Sequence, residues 1–139
     1  FKKRFASQLG VGVDELEGMG FHVYSAGTGS INGGRASAEA IEVMKDYGID
    51  ISRHISKQLV QDMVADADYV FAMSPHHIPT IQAIAPGQKK KLQLLCPGDA
   101  VADPIGQPAA MYRKTAMKID KCLQRIVKML LSDYTGSKE

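Results

Sequence analysis

Long hydrophobic runs are missing from this chain of 139 residues. No apolar stretch approaches the roughly eighteen residues that a membrane-spanning helix needs, and the opening Phe-Lys-Lys-Arg-Phe lacks the apolar segment of a signal peptide. A cytoplasmic location without a membrane partner is expected. Charge of one sign is scarce too: Lys and Arg interleave with Asp and Glu to leave a net charge of +2. The like-charge run of note, Lys89-Lys90-Lys91, reads as a solvated turn, and nothing points to nucleic acid. Cysteine is sparse. Cys96 and Cys122 show neither the paired spacing of a disulfide framework nor that of a zinc site, so both are expected to be reduced and buried. Repeats, low-complexity tracts and interdomain linkers are absent as well, which favours a single domain over residues 1–139. What is present suffices for it, since 45% of the side chains are hydrophobic and can fill a core.

Local patterning divides the chain into alternating elements. Phe1 to Leu9 holds good helix formers and no breaker before Gly10, so it reads as the back end of a helix. Asp14 can cap a short helix that Gly18 and Gly20 end. Phe21 to Ala26 alternates as a strand does, Gly27 to Gly34 is a loop, and Ser37 is a fair N-cap for a helix that Gly48 stops. A polar connector containing His54 leads to a short helix through Met63. Tyr69 to Met73 then reads as a buried strand, followed by a helix opened by Ser74-Pro75 and stopped by Pro86. Leu92 to Leu95 is the next strand. The longest helix runs from about Ala109 to Leu131, with apolar residues at three- and four-residue steps.

Alternating strands and helices predict an α/β fold with a parallel sheet, whose ligands gather at the carboxyl ends of the strands. Three loops sit there: Gly27 to Ser37, the segment around Ser74, and Cys96 to Pro108. The last carries Asp103-Pro104. Proline fixes its own φ and steers the preceding residue out of the helical region, so Asp103 is expected to project from the loop, where an Asp-Pro pair either marks a turn or offers a proton donor to a cleft. His76 and His77 follow a cap and are expected to be exposed, with no ligand pattern. Seven methionines scatter at core-like positions and require no cofactor.

Four blocks, in order, resemble the low-molecular-weight protein tyrosine phosphatases. They are Ser25-Ala-Gly-Thr28, Gly48-Ile-Asp-Ile-Ser-Arg-His54-Ile-Ser-Lys-Gln58, Ala67-Asp-Tyr-Val-Phe-Ala-Met73 and Asp103-Pro-Ile-Gly106. The resemblance implies a three-layer α/β/α sandwich with a small parallel sheet. It also implies cofactor-free and metal-free hydrolysis of a phosphorylated protein or small phosphomonoester by a monomer or weak dimer. In such enzymes a cysteine thiolate attacks phosphorus, and an aspartic acid protonates the leaving atom and then activates water. Asp103 matches that acid. His54 and Ser25 match residues that support the phosphate-binding loop, while Ile31 and Ile105 stand on the cleft rim, where tyrosine-directed relatives often carry aromatics.

The nucleophile's Cys-x5-Arg loop does not occur in this sequence: six positions beyond Cys96 stands Ala102, and six beyond Cys122 stands Lys128. The family's first, internal strand belongs to the same missing segment. An N-terminally incomplete domain of a native phosphatase is the expectation. Substrates in view are phosphotyrosine and phosphoarginine. An arsenate-reductase-like enzyme and a non-catalytic phosphate-binding or interaction module remain as alternatives.

Overall fold

The apolar run ahead of Ser74 becomes a strand because its alternate side chains have a core to enter. In the computed structural model, which describes residues 1–136, strand β1 (Val70–Ala72) pairs in parallel with β2 (Leu92–Leu94), Val70 opposite Leu92 and Ala72 opposite Leu94. Val70, Ala72, Leu92 and Leu94 lie over a cluster completed by Val64 of helix α4 (Gln61–Asp66) and by Ile78, Ile81 and Ala85 in or just after helix α5 (His77–Ile84). Two parallel strands with a helical crossover thus bury one face on two helices. The crossover ends in a 3-10 turn, Lys89–Lys91. Its last lysine is more than solvated: Lys91 Nζ donates to the Val64 carbonyl at 3.1 Å and the Ala65 carbonyl at 2.7 Å, near the C-terminal end of α4 where carbonyls lack helical partners.

These elements belong to one of two compact units, which spans Ser25–Ile119. It also contains helix α3 (Ala38–Asp46), capped as the sequence suggests: Ser37 Oγ accepts the Ala40 N–H at 3.2 Å. Arg113, on the long helix α6 (Ala109–Gly136), donates to Glu42 at 2.9 Å and Asp46 at 3.4 Å, and the Glu42 hydrogen bond, its chief cause, raises the guanidinium pKa further. Helix α5 begins later than expected, because Ser74 and Pro75 form the turn before it, their carbonyls accepting the His77 and Ile78 N–H groups.

The second unit comprises Phe1–Tyr24 and the chain from Asp120 onward. Helix α1 (Lys2–Leu9) ends at Gly10, whose φ of 71° and backbone bonds to Ala6 and Ser7 make a left-handed cap. Phe5 and Leu16 of the short helix α2 (Glu15–Gly18) pack against Val127, with Phe21 edge-on to Phe5 at 4.8 Å. Asp14 does not cap α2 through its side chain; the first turn is instead closed by Glu15, whose carboxylate accepts the Gly12 N–H at 2.5 Å. Arg4 pairs with Asp120, and this hydrogen bonding holds the Asp120 carboxyl below the usual carboxylate range.

Two further expectations require correction. Phe21 to Ala26 does not form a strand: it joins no ladder, and the next residue, Gly27, makes only an isolated parallel bridge to Gln58. Alternation supplies a strand's faces, but hydrogen-bonded neighbours make it a strand. Cys96 and Cys122 are not reduced thiols; each is disulfide-bonded.

Candidate active site

Parallel strands deliver their following loops to one edge, and here the loop after β2 is laced back onto the end of β1. Leu95 N–H donates to the Ala72 carbonyl at 2.9 Å, and Val101 N–H to the Met73 carbonyl at 3.0 Å. Leu95, Cys96 and Val101 are buried, so apolar contact reinforces the backbone bonds. Between them the chain reverses, with Asp99 N–H on the Cys96 carbonyl at 3.2 Å and Gly98 at a φ of 79°.

Asp103 follows Val101 by two residues and is exposed on this loop. Its Oδ1 accepts the Ile105 N–H at 3.0 Å, bridging Pro104, and the Gln107 N–H closes the next turn on the Pro104 carbonyl at 2.9 Å. Such an aspartate turn fixes the carboxyl relative to its own backbone while leaving it accessible. Ile105, two residues on, is 74% exposed.

A second feature lies at Ser25 and His54. They line the same open cleft of about 210 Å³ with Ser30, Ser56 and Lys57. Its floor approaches closely enough that a Cβ on Gly27 would stand 1.7 Å from Ser30 Oγ, so glycine is required there. The loop from Gly27 to Arg35 is stitched to the segment Ile55–Leu59 by reciprocal bonds. Gly27 N–H donates to the Lys57 carbonyl and Leu59 N–H to the Gly27 carbonyl, both at 2.9 Å, while Asn32 Oδ1 accepts the Gln58 N–H at 2.7 Å. Ser56 Oγ donates to the Ile31 carbonyl at 2.6 Å and accepts the Gly34 N–H at 2.9 Å. Ile31 is consequently anchored by its backbone while its side chain stands 85% exposed. The turn leading to His54 is held by the Ser52 N–H on Asp50, which keeps that carboxyl below its ordinary pKa.

The structure therefore brings Ser25 and His54 together on one cleft and sets Asp103 and Ile105 on the loop after β2; neither of these lines that cleft. Ser30, Ser56 and Lys57 were not singled out from the sequence, because serine and lysine in a polar connector look like ordinary surface. The glycine at 34 was the available signal, since it marks a place where the Ser56 side chain approaches from another segment. Among the described residues, no three His, Cys, Asp or Glu side chains gather as a metal cluster, and no helix is long and apolar enough to cross a membrane.

A parallel α/β fold with an exposed Asp-Pro loop at its strand ends defines a class of proteins whose ligands gather at that edge, and comparison narrows it. The family model "Low molecular weight phosphotyrosine protein phosphatase" matches residues 8–135, and the chain belongs to that family. A probable low molecular weight protein-tyrosine-phosphatase, EpsP of Ralstonia nicotianae, is 34% identical over 107 residues, 77% of this chain and 70% of that protein. The protein-arginine-phosphatase of Bacillus subtilis is 28% identical over 134 residues, 92% of this chain and 88% of that one. Among solved structures, the YwlE arginine phosphatase from Geobacillus stearothermophilus superposes with a TM-score of 0.77 at 29% identity, covering 87% of this chain and 83% of its own. The fold is the α/β/α fold of this family.

Proposed function

We propose that the protein hydrolyses phosphomonoesters or phosphoramidates on phosphoproteins, phosphotyrosine and phosphoarginine being the substrates in view, through a cysteinyl-phosphate intermediate. Membership of the family across residues 8–135 carries this reading, together with curated relatives that are named for tyrosine and for arginine dephosphorylation. The match runs through both compact units, which supports a single phosphatase-like domain.

In the first step a thiolate attacks phosphorus and the bond to the leaving oxygen or nitrogen breaks, with Asp103 passing its proton to that atom. In the second, Asp103, now a carboxylate, takes a proton from water as its oxygen attacks the phosphocysteine, releasing phosphate and the thiolate. Its exposure and its fixed turn geometry suit that exchange. Neither Cys96 nor Cys122 is the nucleophile in this reading. Both are disulfide-bonded, and neither has arginine six residues on. The thiolate is assigned to a Cys-x5-Arg segment outside the present sequence, supported on the protein side by His54 and Ser25. Ile31 and Ile105 form aliphatic rims, and the enzyme acts in the cytoplasm as a monomer or weak dimer without a cofactor.

Turnover of an aryl phosphate and of phosphoarginine by the native protein tests the proposal. Activity is expected to be abolished by thiol alkylation and reduced by Asp103→Asn about 10²- to 10⁴-fold, the range of a positioned acid. Thiol-dependent arsenate turnover, or phosphate affinity without hydrolysis, would replace it with another reading.

A further inference from the structure

The Asp103 loop is held from two sides. On one, Val101 is buried and bonded to the Met73 carbonyl at the end of β1. On the other, Lys118 reaches from α6: its Nζ lies 2.6 Å from Asp99 Oδ1 and donates to the Ala100 carbonyl at 2.5 Å. One ammonium thus spans a side chain and a backbone carbonyl on consecutive residues, immediately before the Val101 anchor. Asp99 is 75% exposed, so the ion pair by itself adds little to stability. Its geometric effect is larger. Two independent tethers fix residues 99–101, and Asp103 lies only two residues beyond the second of them.

We propose that Lys118 is a positioning residue for the reaction: by binding Asp99 and the Ala100 carbonyl it sets the loop that aims Asp103 at the leaving atom. This rests on the phosphatase reading. The geometry is carried by one compact unit alone, since Lys118, Asp99, Val101 and Asp103 all lie within Ser25–Ile119.

The test compares native protein with Lys118→Met and Lys118→Arg on two substrates. Phenyl phosphate has a poor leaving group that needs protonation; 2,4-dinitrophenyl phosphate has one that departs without it. Lys118→Met is expected to lower kcat/KM, which reports only the steps up to departure of the leaving group, about tenfold on phenyl phosphate, part of the roughly 10²- to 10⁴-fold that an aimed acid supplies. On dinitrophenyl phosphate the loss in kcat/KM is under about twofold, and Lys118→Arg recovers most of the difference. Equal losses on both substrates, or none, would overturn the proposal. Amide hydrogen exchange on the native protein provides a reading independent of turnover: Lys118→Met should speed exchange at Val101 about tenfold while Ile81 is unchanged. Unchanged exchange at Val101 removes the tether. If wild type turns over neither substrate, the phosphatase reading fails, and exchange alone decides whether Lys118 holds the loop.

Discussion

Asp103 shows what a single residue type can reveal and what it cannot. Its place in an exposed loop before a fixed-φ proline was readable, because proline restricts its neighbour wherever it occurs. The Oδ1 bond to the Ile105 N–H and the Lys118 tether two residues before Val101 were not, since both depend on a backbone path and a helix face that no local rule fixes. The disulfide-bonded state of Cys96 and Cys122 was hidden for the same reason. Asp120 offers a prediction at this scale. Hydrogen bonding from Arg4 lowers its folded-state pKa below the unfolded value of about 4, so the pair contributes fully above that pH and the contribution fades as pH falls through the folded value. Wild type should therefore exceed Asp120→Asn in urea stability by under about 1 kcal/mol at neutral pH, the side chains being partly exposed. The gap should close in acid, as followed by denaturant titrations at several pH values.

Elements were the most legible level. The Ser37 cap, the Gly10 stop and the parallel strands at Val70 and Leu92 all follow from signals a few residues long. Ser37→Ala should cost about 1 kcal/mol by removing the acceptor of the Ala40 N–H, measurable in urea without loss of the folded baseline. Phe21 to Ala26 marks the limit of such signals. Its alternation is genuine, yet among the described residues only β1 and β2 pair as named strands. A strand is a relation between two segments, and one segment's sequence states only half of it.

At the scale of the molecule, the α/β class and the family could be read because several modest blocks occur in one order, which chance spacing rarely reproduces. The family match over residues 8–135 agrees with them. The division into two compact units was not readable, since composition hardly changes along the chain and helix α6 runs through both residue ranges. Each unit keeps its own core, so cavity mutations should report on each. Phe5→Ala, emptying a position 1% exposed, should cost about 3–5 kcal/mol in thermal or urea denaturation, and signals from residues around Phe5 should register it. Ile81→Val in the other core should cost about 0.5–1.5 kcal/mol by the same measurement.

The lysine run at 89–91 also has a practical meaning. Because the ammonium of Lys91 is committed to the carbonyls of Val64 and Ala65, its charge is fixed at the end of α4, while those of the exposed Lys89 and Lys90 can reach out to a polyanionic column. Acetylating a lysine there would have unequal effects: at 89 or 90 it would erase surface charge, whereas at 91 it would loosen the end of a helix.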